Sequence, residues 1–179
     1  MSQSKLVNIQ ETIAAINQMR ADGIIDCYAI GGAVGATFYL EPVATLDVDV
    51  FIAFKPQAGQ LLVTPQPIFE YLLARGGTMQ GEYVMIAGWP VQFLPAGNPL
   101  LEEALTRAVE HDVEGTPVRV FTAEHLAAIA LQTGRAKDKA RLLQFIEAGA
   151  LDAVRFQDVV ARHGLIDRWR EFERQFLTP

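Results

Sequence analysis

The segment between residues 24 and 54 constrains the fold more than any other part of the chain. It begins with an apolar run that favours a buried strand, which Gly31 and Gly32 then interrupt. A helix-compatible stretch follows at 33–40, and a second strand-like run occupies 45–54. A strand, a glycine turn, a helix and a further strand in this order predict a fold that mixes α and β elements around one sheet.

Two carboxylates lie one residue apart in the second strand, at Asp47 and Asp49. Aspartate is depleted in strands, and alternate side chains of a strand point to opposite faces. Val48 and Val50 therefore share one face, and the two aspartates stand side by side on the other. Such a pair can face water, or it can bind a hard divalent cation. Mg²⁺ commonly takes one or two protein carboxylates and completes its shell with water and substrate phosphates.

The glycine pair has two interpretations. Gly31 and Gly32 can simply allow a tight turn. Alternatively, they let the backbone approach a phosphate group, to which the N-terminus of the next helix offers free N–H donors. The combination of a glycine pair and an Asp-x-Asp strand in this order favours the phosphate interpretation.

The rest of the chain divides into two parts. Helix and strand patterns alternate up to residue 121, with a predicted hairpin over 82–94 and a second strand pair over 109–121. From residue 122 onward only helical patterns occur. We therefore predict an α/β domain over 1–121, built as a small mixed β-sheet flanked by helices, and a C-terminal helical subdomain over 122–179.

Composition excludes some classes of protein. The chain has 179 residues, a net charge of −6 and a pI near 5.0, which disfavours tight sequence-independent binding to nucleic acid. The single cysteine, Cys27, fits a reducing compartment. Without an apolar run typical of a signal peptide or a membrane span, we expect a cytoplasmic protein with no membrane partner.

The sequences AIGGAVGATFYL at 29–40 and TLDVDVFI at 45–52 resemble the nucleotidyltransferase superfamily with the DNA polymerase β-like fold. Within it, they most resemble small bacterial members near the AbiEii-type toxins of toxin–antitoxin systems. The resemblance implies that Gly31 and Gly32 bind the phosphates of a nucleoside triphosphate (NTP). It also implies that Asp47 and Asp49 bind Mg²⁺ and serve catalysis.

A later stretch, TGRAKDKARL at 133–142, resembles a basic Lys-Asp helix motif of the AbiEii-like branch. The resemblance implies that Lys137 and Asp138 face the nucleotide site. Lys137 and Arg141 are four residues apart and share a helix face, so both can neutralise phosphates. A solvated helix face is the alternative interpretation of this cluster.

One position departs from the family pattern. The family usually supplies a third carboxylate from a later strand, and the matching position here is Gln92. An amide cannot take a proton as a general base. Glu82 and Asp112 lie on other strand-like runs and are candidates for the missing carboxylate.

The resemblance implies metal-dependent transfer of a nucleoside monophosphate from an NTP to an acceptor hydroxyl. An RNA end, a protein side chain and a small molecule all remain open as the acceptor, and a homodimer or a partner protein is also open. Gln92 supports an alternative, a non-catalytic relative that binds nucleotides or other proteins. A third interpretation is a structural α/β domain that binds no nucleotide.

Overall fold

A computed structural model describes residues 2–42, 44, 47–53 and 64–179, with seven β-strands and eight α-helices in that part of the chain. The strands are β1 (Cys27–Ile30), β2 (Val48–Ala53), β3 (Thr78–Gln80), β4 (Tyr83–Ile86), β5 (Trp89–Pro95), β6 (Val109–Val113) and β7 (Thr116–Val120). The helices are α1 (Ser2–Ala21), α2 (Gly32–Ala36), α3 (Gln66–Leu73), α4 (Pro99–Thr106), α5 (Ala123–Thr133), α6 (Ala136–Glu147), α7 (Ala153–Arg162) and α8 (Ile166–Phe172). A π-helical turn, Glu173–Leu177, follows α8.

All seven strands form one mixed sheet in the order β3-β4-β5-β2-β1-β7-β6. Strand β2 pairs antiparallel with β1 and parallel with β5, so it lies in the centre of the sheet. Strand β7 pairs parallel with β1 and antiparallel with β6, which forms one edge. The predicted class, a mixed sheet flanked by helices, is confirmed.

The alternation along β2 separates a core face from a face that carries polar groups. Val48, Val50 and Ile52 are buried in a cluster that also contains apolar side chains of α1 and α3. Asp47, Asp49 and Phe51 point to the opposite side of the sheet, as expected for a period of two. On that side, a second apolar cluster contains side chains from α4 to α8.

Several element boundaries differ from the prediction. Strand β3 was missed because all three of its residues are exposed and show no alternation. Pro90, in the middle of the predicted hairpin, belongs to β5, which begins at Trp89. The last helix loses its α-helical hydrogen-bond pattern after Phe172. Thr45, Leu46 and Phe54 of the predicted strand lie outside the described residues.

The second apolar cluster joins the two parts of the chain. It includes Ala29 and Phe121 from the first part and Leu126, Phe145 and Trp169 from the second. The division into 1–121 and 122–179 stays a prediction. Among the described helices, none has the length and apolarity needed to cross a membrane.

A network centred on Glu103 connects three helices on this side of the sheet. The Glu103 carboxylate, on α4, accepts a hydrogen bond from Arg162 Nη2 at 2.6 Å and lies 3.0 Å from His125 Nε2 on α5. His163, which follows α7, places its Nε2 2.7 Å from the other carboxylate oxygen. His125 is only 4% exposed. The network therefore holds α4, α5 and the end of α7 together by charge-assisted hydrogen bonds.

Candidate active-site cleft

Two parallel strands place the predicted aspartates and Gln92 side by side. In the register of β2 and β5, Asp49 pairs with Gln92, and Phe51 pairs with Leu94. Because side chains in register on neighbouring strands share a face, Gln92 points to the same side as Asp49. The position predicted for the missing carboxylate is therefore adjacent to the aspartate pair, and it carries an amide.

The glycine pair lies directly against the aspartate strand. Gly31 N–H donates to the backbone oxygen of Asp49 at 3.0 Å. Gly32 has φ +57°, and a Cβ added there would overlap the Asp49 carboxylate. A Cβ on Gly31 would lie 2.6 Å from the Phe51 ring. Only residues without side chains allow the turn after β1 to approach β2 this closely.

The turn between α5 and α6, together with α6 itself, carries the basic residues Arg135, Lys137 and Arg141. Gly134, with φ +69°, ends α5 in the left-handed conformation, and Arg135 caps the start of α6. Asp138 is 3% exposed and accepts from Arg135 Nε at 2.6 Å and from the Arg135 backbone N–H at 3.3 Å. Asp138 thus serves mainly to fix the first turn of α6. Lys137 and Arg141, on the same helix, line the cleft.

A cleft of about 460 Å³ brings most of the predicted residues together. It is lined by Gly32, Asp47, Asp49, Gln92, Lys137 and Arg141, together with Arg135, Asp138 and apolar side chains of α5. Gly31 does not line it, because it is buried beneath the Phe51 and Phe121 rings. Residues far apart in the chain therefore meet in a single concave site.

Charge in the cleft is arranged around Asp49. Burial raises the pKa of Asp49, and the neighbouring Asp47 carboxylate raises it further. Arg141, Lys137 and Arg135 oppose this rise because each favours the ionised carboxylate. Asp49 thus lies in the combined field of the Asp47 carboxylate and three cations.

The lining of the cleft includes a further carboxylate and a phenol. They belong to Glu82, which directly precedes β4, and to Tyr83, its first residue. The negative charge of Asp47 is the main cause of a raised pKa at Tyr83, with smaller effects from burial, Glu82 and Asp49. The interaction places the Tyr83 hydroxyl within the field of the aspartate pair.

The prediction that Asp112 supplies the missing carboxylate is wrong on geometric grounds. Asp112 lies on the edge strand β6, separated from β2 by β1 and β7. Its carboxylate accepts from the Gly115 backbone N–H at 2.8 Å and so supports the turn between β6 and β7. Among the candidates from the sequence, only Glu82 reaches the cleft.

Three cleft residues had no recognisable signal as site residues in the sequence. Tyr83 resembled any strand aromatic, Asn98 resembled an ordinary helix cap, and Gln132 resembled an ordinary helix surface residue. Each becomes a site residue only because the sheet order and the packing of α5 bring it to this cleft. No local sequence pattern predicts that these three residues lie close to the aspartate pair.

The chemistry of the aspartate pair fits a hard cation. Asp47 and Asp49 offer carboxylate oxygens on one strand face, which are the ligands that Mg²⁺ prefers. Within the described part of the chain, no group of three or more His, Cys, Asp or Glu side chains is arranged to hold a metal ion. Two protein carboxylates leave positions for water and for substrate oxygens, as is usual for Mg²⁺ at phosphate-binding sites.

Solved structures with a similar fold include two nucleotidyltransferase-related proteins. An antigenic nucleotidyltransferase-like protein from Paracoccidioides brasiliensis superposes with a TM-score of 0.59 at 14% sequence identity, covering 87% of this chain and 86% of that chain. The solution structure of the antibiotic-resistance factor ANT(2'')-Ia gives a TM-score of 0.55 at 15% identity, covering 98% of both chains. No protein-family model and no curated protein sequence matches this chain.

At these identities the likeness establishes the fold, which is that of nucleotidyltransferase-like proteins. The narrower resemblance to AbiEii-type toxins stays a prediction.

Proposed function

We propose that this protein is a metal-dependent nucleotidyltransferase that transfers a nucleoside monophosphate from an NTP to an acceptor hydroxyl. One observation carries the proposal. Asp47 and Asp49 lie on one strand face, next to Gly32, in a cleft that Lys137 and Arg141 also line. The fold is consistent with this proposal, because it is the fold of nucleotidyltransferase-like proteins.

Mg²⁺ is the proposed cofactor, with Asp47 and Asp49 as its protein ligands. Bound there, the ion would stabilise the negative charge that develops on the phosphoryl group during transfer. Lys137 and Arg141 are proposed to bind the triphosphate, since both favour the ionised form of Asp49 and so lie within its field. Gly32 lines the cleft beside Asp49 and is the proposed phosphate contact, while Gly31 lies in the turn behind it.

The transfer itself requires a proton acceptor. The acceptor oxygen forms a bond to the α-phosphorus, the bond from that phosphorus to the bridging oxygen breaks, and pyrophosphate leaves. The proton of the acceptor hydroxyl must go to a base, which Gln92 cannot provide. Asp138 is occupied by Arg135, so Glu82 is the proposed base among the cleft residues.

Nucleotide binding can be tested without knowing the acceptor. The full chain would be melted in the presence of each of the four NTPs, with and without Mg²⁺. A ligand that binds only the folded state stabilises it by about 2.7 kcal/mol at a hundredfold excess over its dissociation constant. We expect a Mg²⁺-dependent shift that is absent in Asp47→Ala. An Asp47→Ala variant that binds Mg²⁺-NTP as tightly as the unaltered protein would refute the proposal.

A second candidate function is supported by Gln92. Because this amide stands in register with Asp49, a protein that binds Mg²⁺-NTP but transfers nothing is also consistent with the site. An NTP labelled at the α-phosphate, offered with RNA, protein and small hydroxylated acceptors, distinguishes the two. Transfer by the unaltered protein excludes the non-catalytic candidate. Transfer only by Gln92→Asp supports it.

A further inference from the structure

The lining of the cleft changes from charged to apolar along the direction of the strands. Asp49 and Phe51 share one face of β2, which Asp47 directly precedes, and Gln92 and Leu94 share the matching face of β5. At about 3.3 Å per residue, Phe51 lies on the order of 13 Å beyond Asp47. That distance suits the triphosphate and ribose of an extended nucleotide. The floor at the far end is therefore the aromatic and aliphatic surface on which a nucleobase can stack.

Asn98 lines the cleft and follows β5 by three residues, which places it on the Leu94 side, and its side chain has a fixed orientation. It caps α4, and its Oδ1 accepts from the Leu101 backbone N–H at 2.9 Å. The cap determines which end of the amide is oxygen, because only the oxygen can accept from a backbone N–H. Its Nδ2 therefore points away from the helix and donates to Gln132 Oε1 at 3.3 Å.

This hydrogen bond also orients Gln132. Its Oε1 is used as the acceptor for Asn98, so its Nε2 carries the remaining hydrogen-bonding capacity. Among the described residues, the hydrogen bonds of Gln132 use its Oε1 and its backbone oxygen, and none uses Nε2. The backbone oxygen of Gln132 accepts from Arg168 Nη1 at 3.0 Å, which holds the end of α5 in place. Both residues line the cleft, so the Asn98–Gln132 pair can offer it N–H donors.

We propose that the Asn98–Gln132 pair selects the nucleobase by its hydrogen-bonding groups and favours keto bases, guanine and uracil, over amino bases, adenine and cytosine. The inference rests on the proposed function, because it assumes that the cleft binds an NTP. Guanine presents O6 and N7 as adjacent acceptors, whereas adenine presents an amino donor beside N7. At position 4, uracil likewise presents a keto oxygen, whereas cytosine presents an amino group.

The physical reason is the cost of unpaired donors. An N–H group of the pair that faces an exocyclic amino group finds no acceptor and loses its hydrogen bond to water on binding. A keto oxygen at the same place accepts that hydrogen bond. Discrimination by a well-placed polar group against the wrong base is typically worth tenfold or more.

The inference can be tested by calorimetric titration of the full-length protein with Mg²⁺ and each of the four NTPs. We expect GTP or UTP to bind at least about tenfold more tightly than ATP and CTP. In Gln132→Glu, a carboxylate replaces the donor, still accepts from Asn98 Nδ2 and presents an acceptor to the base. The added charge should weaken the binding of every NTP. The ratio of the affinity for GTP and UTP to that for ATP and CTP should nevertheless fall or invert.

A matched variant separates the effect of charge from that of the site. Gln157 is exposed on α7 and does not line the cleft, so Gln157→Glu adds the same charge without touching the base. It should keep the ranking of the unaltered protein. If Gln132→Glu fails to fold, the ranking of the four NTPs by the unaltered protein still decides the matter.

The possible failures are distinguishable. Equal binding of all four NTPs, or a preference for ATP or CTP, overturns the inference and leaves the nucleotidyltransferase proposal intact. An unchanged ranking in a folded Gln132→Glu also overturns it. Absence of binding by any NTP overturns the proposed function and this inference with it.

Discussion

The Asp49 carboxylate lies against Gly32 so closely that a single methyl group at position 32 would overlap it. Gly31 N–H donates to the Asp49 backbone oxygen in the same contact, at 3.0 Å. The turn after β1 and the aspartate strand are therefore packed as one unit. A methyl group at position 32 must therefore displace the Asp49 carboxylate or the turn itself.

Gly32→Ala should reduce both stability and nucleotide binding. The new Cβ meets the Asp49 carboxylate, and φ +57° is costly for any residue with a side chain. We expect a loss of about 2 kcal/mol in the free energy of unfolding, from backbone strain and overpacking together. Urea denaturation measures the first effect, and Mg²⁺-NTP titration of the folded variant measures the second.

A matched glycine provides the control for this experiment. Gly97 is exposed, and the nearest atom to a Cβ placed there is the Pro95 oxygen at 3.9 Å. Gly97→Ala should therefore leave stability within about 0.5 kcal/mol of the unaltered protein. Equal behaviour of the two variants would contradict the close packing of Gly32 on Asp49.

Asp49→Asn should separate function from stability. The amide has the shape of the carboxylate but lacks its charge, and burial beside Asp47 raises the pKa of Asp49 because the charged form is disfavoured there. Removing the charge should leave the melting temperature of the unliganded protein equal or higher. Mg²⁺-dependent NTP binding should fall by at least about tenfold. A large drop in melting temperature would mean that Asp49 is a structural residue.

The cations of α6 should contribute to NTP binding in a salt-dependent manner. Lys137→Ala and Arg141→Ala should each weaken Mg²⁺-NTP binding by about tenfold at low salt, and by less at high salt because the interaction is screened. Lys139 on the same helix lies 6.0 Å from the centre of the Phe176 ring and does not line this cleft. Lys139→Ala should bind as the unaltered protein does. Equal losses from all three would indicate a general effect of charge.

The Glu103 network predicts how stability depends on pH. Its hydrogen bonds to Arg162, His125 and His163 hold the pKa of Glu103 well below its usual range, and burial lowers the pKa of His125. Both groups bind protons more readily in the unfolded state. His125 therefore reduces stability as the pH falls below about 6.5, and Glu103 does so below about 4.3.

Glu103→Gln tests this network directly. At pH 7 the variant should be less stable by about 2 kcal/mol, since it loses charge-assisted hydrogen bonds around a buried histidine. The difference from the unaltered protein should shrink as the pH falls below about 4.3, where the unaltered protein loses the same contribution. Chemical denaturation at several pH values measures both. Glu147→Gln, on the exposed surface of α6, should stay within about 0.5 kcal/mol throughout. A pH-independent difference at position 103 would contradict the prediction.

Local chemistry determined a large part of this protein. The period of two in β2 assigned Val48 and Val50 to the core and both aspartates to the other face, because strand side chains alternate whatever the strand packs against. The glycine pair marked the turn, since a close backbone approach needs residues without a Cβ. The helices after residue 122 followed from their apolar spacing in the same way.

The tertiary structure decided which of these groups meet. Sheet order placed β5 beside β2 and so brought Gln92, 43 residues away, next to Asp49, while it placed Asp112 at the far edge. Packing of α5 and α6 on that face brought Lys137 and Arg141 to the aspartates and joined Asn98 to Gln132 across 34 residues. Contacts of this kind depend on how whole elements pack around a shared core, and that information is spread over the entire chain.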